Sequence, residues 1–161
     1  MECFRKCVRL WHIVVLCGGT RMKPLTLALV TLLLAAANTP ASAQLVARID
    51  LSNQQLQLWI DGERAYLWPI STARRGYRTP TGTYQPQRMY RRYFSRKYDD
   101  APMPHAIFFH DGYAIHGTTD VKRLGRPASH GCIRLHPRNA AILYELASAY
   151  GRSRTRIIIV K

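Results

Sequence analysis

The sequence predicts a mainly β domain with one substantial helix, preceded by an N-terminal export segment. Three observations predict this. Apolar residues alternate with polar ones in runs from Leu45 onward, and Asp-Gly pairs separate the runs, the pattern of half-buried strands joined by tight hairpins. One later stretch, 137–150, carries apolar residues at helical spacing between a proline and a glycine. Residues 22–43 run from positive charge through an apolar stretch to Ala41-Ser42-Ala43, the order of a secretory signal with cleavage expected after Ala43.

The apolar stretch from Leu25 to Ala37 is 13 residues long, short of the about 20 needed to cross a bilayer. The competing reading is an uncleaved anchor. Met22 begins a complete signal by itself, so it is the expected true start. A second apolar patch, Leu10 to Leu16, lies upstream beside Arg5, Lys6 and Arg9. Lipid attachment at Cys17 is disfavoured by the bulk of Leu16.

The remaining residues, 44–161, are expected to form one domain. They hold 19 Lys/Arg against 8 Asp/Glu, a net charge of +11. Such a surface attracts polyanions. Outside the cytoplasm these are cell-wall polymers and lipid head groups rather than nucleic acid. Of the four cysteines, Cys3, Cys7 and Cys17 precede the expected cut, so Cys132 remains alone and no internal disulfide can form.

Leu45, Ala47, Ile49 and Leu51 alternate, as do Leu56, Leu58 and Ile60. Asp61-Gly62 then turns the chain into an apolar stretch from Ala65 to Ile70. Thr79-Pro80-Thr81-Gly82 reads as a turn, with a further strand over Gly82 to Gln87. Residues 88–104 interleave Arg88, Arg91, Arg92, Arg96 and Lys97 with Tyr90, Tyr93, Phe94 and Tyr98. They read equally as a lid over a site or as a solvated loop. Single-stranded nucleic acid also suits basic and aromatic residues together, but the order is irregular and the compartment wrong.

Ile107-Phe108-Phe109 and Tyr113-Ala114-Ile115 flank Asp111-Gly112, a second hairpin. The helix over 137–150 begins on Pro137 and ends before Gly151. Ala140, Leu143, Tyr144, Ala147 and Tyr150 form its core-facing stripe. Arg156 to Val160 is a last strand. No repeat, linker or second domain is evident.

Chemistry concentrates between His116 and Leu135. The segment holds His116-Gly117-Thr118 and Ser129-His130-Gly131-Cys132-Ile133-Arg134-Leu135. A thiol needs a base to take its proton and an acid to return one to a leaving amine, and imidazole does both. Two imidazoles are offered. His130 shares a face with Cys132 only in extended backbone, which a turn at Gly131 would break. His116 reaches Cys132 only if its strand pairs beside it. Gly131 lets backbone N–H groups approach an oxyanion closely. The bland alternative is a buried cysteine with two hydrogen-bonded histidines. An activated Cys132 is expected to alkylate quickly near neutral pH, an inert one slowly. Zinc is a rival reading through His116, His130, Cys132 and His136. The spacing fits no common zinc pattern, so no metal or cofactor is expected.

The Ser129 to Leu135 run, preceded by Ala114-Ile115-His116-Gly117, closely resembles the active-site signature of L,D-transpeptidases (YkuD-like catalytic domains). Asp50-Leu51, Gln54 to Leu58, Asp61-Gly62, Ser71-Thr72, Thr79-Pro80-Thr81-Gly82 and Leu124-Gly125-Arg126-Pro127 lie in the order that family uses, so the resemblance covers about residues 45–161. It implies a β-sandwich-like domain and an acyl-enzyme on Cys132. His116 matches the general base, and Gly117 would orient it through its backbone carbonyl. Ser129, His130 and Gly131 match residues around the oxyanion and substrate. Arg134 matches an arginine that either holds a substrate carboxylate or braces the loop. By the same resemblance, Cys132 attacks a diaminopimelate carbonyl of a peptidoglycan tetrapeptide stem and releases D-alanine. An amine then completes a 3-3 cross-link. Many members have serine where Gly117 stands, and the family often has glycine where Ala73 stands.

Alternatives within that fold are an L,D-carboxypeptidase, with water as acceptor, and a protein-attaching relative, with a lysine. A non-catalytic wall-binding protein is the alternative outside it.

Overall fold

The computed structural model describes residues 44–161. The expected signal segment and the Met22 start lie outside the described residues. Eleven strands and one α-helix build the described part. β1 (Leu45–Asp50) buries Leu45, Ala47 and Ile49, and β2 (Gln55–Ile60) buries Leu56 and Leu58. β1 pairs antiparallel with β2, and β2 with β3 (Glu63–Pro69). The β2–β3 turn is Asp61-Gly62, both at positive φ, 51° and 89°, as a two-residue hairpin turn on the right-handed strand twist requires.

The last strand, β11 (Thr155–Val160), lies parallel to β1, so the first and last strands are neighbours at the centre of the sheet. β4 (Gly82–Tyr84) closes its far side in the order β3-β2-β1-β11-β4. β4 stops three residues short of the expected Gln87. Pro86, which lacks a donor N–H, follows it, and the chain crosses to the second sheet.

That sheet has the order β10-β9-β8-β5. β8 (Ala106–His110) and β9 (Tyr113–Gly117) form the expected hairpin about Asp111-Gly112. β10 (Ile133–Leu135) adds parallel to β9, and β5 (Arg88–Tyr90) antiparallel to β8. Residues 88–104, expected as a loop or lid, thus contribute β5 and a small separate hairpin. This is β6 (Phe94–Ser95) and β7 (Ala101–Pro102), with a 3-10 turn at Arg96–Tyr98 between them.

α1 (Pro137–Tyr150) has the expected bounds, with Pro137 in its first turn. It packs on β9, β1 and β8, burying Ala140, Leu143, Tyr144 and Ala147. Tyr150 is only partly buried, because its hydroxyl reaches out to donate to Asp61 Oδ2 at 2.8 Å. The main core joins Ile49, Leu58 and Ile157 of one sheet to Ile107, Ile115 and Ile133 of the other, with Leu143 of the helix. This two-sheet core with one helix is the mainly β, sandwich-like architecture expected.

β3 departs from its apolar composition. Only Trp68 is buried, while Tyr66 and Leu67 are exposed. Leu67 pairs with Gln57 and so lies on the sheet face turned away from the core, whereas Tyr66 pairs with Leu58 on the core face but at the sheet's edge, where less packs over it. Among the described residues, no helix is long and apolar enough to cross a membrane.

Candidate active site

β9 and β10 place the reactive groups. Their parallel register pairs Ile115 with Ile133, His116 with Arg134, and Gly117 with Leu135. Paired residues point to the same face and the pattern repeats every second residue. His116 and Arg134 therefore share a face with Ala114 and with Cys132, which immediately precedes β10. His116, Cys132 and Arg134, with Ser129 and His130, line one cleft of about 760 Å³. The even-numbered face of β9 thus carries the site, while Ile115 and Ile133 enter the core.

His116 is 6% exposed. Its Nδ1 lies 2.7 Å from the Gly117 carbonyl oxygen. A carbonyl only accepts, so Nδ1 carries the proton and Nε2 keeps a lone pair. Burial pushes the imidazole down to about 4, against the pull of the Gly117 bond and with a further push from the Arg134 cation. Cys132 is a half-buried free thiol. Burial pushes it above its ordinary value; the Ala114 backbone bond and the charges of Arg134 and Lys97 oppose the rise. At neutral pH both groups are uncharged. With its acidity lowered in this way, the thiol of the free protein is expected to alkylate slowly rather than quickly near neutral pH.

The loop before β10 is held from three sides. Ser71 exchanges backbone bonds with Arg134, with N···O of 3.0 and 2.8 Å. Residues Thr72 and Arg74 bond the Ser129 backbone. Thr79 Oγ1 accepts from Ala73 N–H at 3.1 Å and donates to the Gly131 carbonyl at 2.8 Å. Inside the loop, Ser129 Oγ accepts from Gly131 N–H at 2.9 Å and donates to the Cys132 carbonyl at 2.6 Å. Gly131 has φ +131°, and a Cβ there would meet Tyr113 Cε1 at 2.5 Å and the Arg78 carbonyl at 2.8 Å. Only glycine fits. Its N–H is already committed to Ser129.

A model of the YkuD family, the L,D-transpeptidase catalytic domain, matches residues 44–159. The chain belongs to that family. Solved L,D-transpeptidases share its fold. One from Mycobacterium smegmatis has a TM-score of 0.65 at 24% identity, over 74% of this chain and 59% of that one. One from Stackebrandtia nassauensis has a TM-score of 0.64 at 25% identity, over 86% and 67%. L,D-transpeptidase 3 from Mycobacterium tuberculosis, in complex with a faropenem-derived adduct, has a TM-score of 0.64 at 21% identity, over 74% and 61%. The chain thus spans less than two thirds of the length of the first of these. No curated protein matches.

In this L,D-transpeptidase domain His130 has different partners from His116. Its Nε2 lies 2.7 Å from Arg74 Nη2, and a guanidinium only donates. The ring stacks on Tyr98 at 4.6 Å and 13° and meets the edge of Tyr77 at 4.6 Å. Burial, then the charges of Arg74, Arg134 and Lys97, keep it below its ordinary value. His136, a ligand type in the zinc reading, instead caps α1, its Nδ1 accepting from Arg138 N–H at 3.3 Å. Among the described residues no three His, Cys, Asp or Glu side chains gather as a metal-binding group.

Gly117, where serine is common, packs tightly: a Cβ would lie 3.0 Å from Pro104 Cγ and 3.2 Å from Pro137 Cα. The end of the 88–104 segment and the start of α1 close on it. Arg134 is 24% exposed, and its nearest carboxylate, Asp120, is 4.0 Å away and closer to Arg123, at 3.1 Å. Sequence reasoning gave no role to Thr79, Arg74 or Tyr98. Thr79 lay in a motif read as a turn, Tyr98 lay in the basic and aromatic stretch read as a lid or a loop, and Arg74 carries no signal until the loops meet.

Proposed function

We propose that the protein is a peptidoglycan L,D-transpeptidase acting through a thioester on Cys132. The observation that supports it most is the tautomer and placement of His116. Its Nδ1–H is fixed on the Gly117 carbonyl, and its Nε2 is left as the base on the face that carries Cys132. Substrate arrives as a tetrapeptide stem. As Cys132 Sγ attacks the diaminopimelate carbonyl, Nε2 takes the thiol proton. Because both groups are uncharged at rest, we assign this transfer to the moment of attack rather than before it. The oxyanion lies against the nucleophile loop, lined by His130. With Gly131 N–H committed to Ser129, the donor we assign is the Cys132 backbone N–H. His116 then protonates the departing D-alanine amine, leaving the thioester. An acceptor amine loses its proton to His116 as it attacks, and the returned proton restores the thiol. A stem side-chain amine gives the 3-3 cross-link.

Arg134, loosely held by Asp120, is assigned to a substrate carboxylate. Ser129 and Gly117 act on the loop and on His116 respectively. Substrate of this class lies outside the cytoplasm, in keeping with the expected signal segment, and the net positive charge favours anionic wall polymers nearby. Purified disaccharide-tetrapeptide incubated with the protein and analysed by mass spectrometry tests the acceptor. A dimer lacking one D-alanine supports the transpeptidase. Tripeptide alone assigns water as acceptor and an L,D-carboxypeptidase.

A further inference from the structure

Resting on that reading, we propose that Lys97, carried over the cleft by the β6–β7 hairpin, binds a free carboxylate of the stem peptide and makes the enzyme selective for stems that are not amidated. The cleft wall opposite β9 and β10 comes from residues 88–104, and Arg88, Arg96 and Lys97 line it. None of the three has a carboxylate within ion-pair distance among the described residues. The acids that line the same cleft have nearer partners: Asp120 pairs with Arg123 at 3.1 Å, and Asp111 with His110 at 3.3 Å. Asp99 and Asp100 adjoin Lys97 in sequence, but both are exposed and both take left-handed backbone, φ 49° and 52°, to turn the hairpin.

Lys97 is itself exposed, but its neighbour Tyr98 ties its position to the site. Its Nζ lies 5.6 Å from the Tyr98 ring centroid, and Tyr98 stacks on His130 at 4.6 Å. The ammonium thereby lies beside the nucleophile loop, near enough that its charge acts on both Cys132 and His130. An uncompensated cation facing a substrate cleft matches an anionic group of the substrate. In a stem peptide, apart from the carboxylate assigned to Arg134, that group is a free carboxylate on either the D-glutamyl or the diaminopimelyl residue. Amidation removes its charge.

The test compares D-alanine release from four tetrapeptides: unmodified, amidated at each carboxylate, and amidated at both. Wild type and Lys97→Gln are measured. A hydrogen bond to a charged group suggests about tenfold in kcat/KM. We expect wild type to favour the free acid by about tenfold over one singly amidated stem, which names the carboxylate. Lys97→Gln should abolish that ratio, and Lys97→Arg should restore it. A shift in thiol acidity slows all four stems alike and leaves the ratio intact. An unchanged ratio in Lys97→Gln, or no preference in wild type, overturns the inference while leaving the transpeptidase reading standing. Failure of every stem, together with no Cys132 adduct from faropenem, overturns both.

Discussion

Protonation of His116 should destabilise the protein in a defined pH window. The imidazole ordinarily titrates at 6.5, and in the folded protein burial lowers it to about 4. Between those values the unfolded chain binds a proton that the folded one refuses, so stability falls as pH falls. Above 6.5 the neutral ring costs nothing extra. Within the window each pH unit removes about 1.4 kcal/mol, giving a loss of about 3 kcal/mol from pH 7 to pH 4. That is a large share of the about 5–15 kcal/mol by which a domain is stable. Carboxylates also titrate there, so the measurement is a difference. Urea unfolding is followed from pH 4 to 7.5 for wild type and for His116→Asn, whose amide can still donate to the Gly117 carbonyl. The wild type should lose about 3 kcal/mol relative to the variant across the window. A gap that stays constant with pH would show that His116 is not held neutral by burial, and the concurrent proton transfer would lose its basis.

Three further outcomes follow from the loop and its surroundings. Thr79→Val leaves the Gly131 carbonyl and the Ala73 N–H without their shared partner, so urea unfolding should show a loss of about 1–3 kcal/mol. D-alanine release should fall as the nucleophile loop loosens. Gly117→Ser adds a Cβ 3.0 Å from Pro104 Cγ and 3.2 Å from Pro137 Cα; a lowered Tm is expected, with part of the loss recovered by Pro104→Ala. The Cys132 thiol should react with iodoacetamide more slowly at pH 7 than free cysteine does, with the rate still climbing at pH 9; a rapid plateau below pH 7 would indicate a thiolate instead.

Much of the fold was legible because its signals are local. Asp61-Gly62 and Asp111-Gly112 mark hairpins through the backbone they adopt, and Pro137 and Gly151 bound α1 through chemistry within one turn. What the sequence left unread depends on distant pairings. Ala65 to Ile70 is apolar, yet nothing local says that β3 lies at an edge. The strand content of 88–104 depends on β5 finding β8. At the site, the residues were nameable but their relations were not. Whether His116 or His130 faces Cys132 as a base turns on ring partners: the Gly117 carbonyl on Nδ1 in one, the Arg74 guanidinium on Nε2 in the other. Thr79 is 52 residues from Gly131 in sequence, so its grip on the loop has no sequence signature.

The central claim is that Cys132 and His116 cleave the bond to the terminal D-alanine of a stem tetrapeptide. Free D-alanine released from disaccharide-tetrapeptide by the purified protein measures it directly, whatever the acceptor. The account predicts release by wild type, none by Cys132→Ala, and a fall of about 100-fold or more in His116→Asn. Release that survives in Cys132→Ala, or a wild type that releases none while Cys132 is intact, would contradict it.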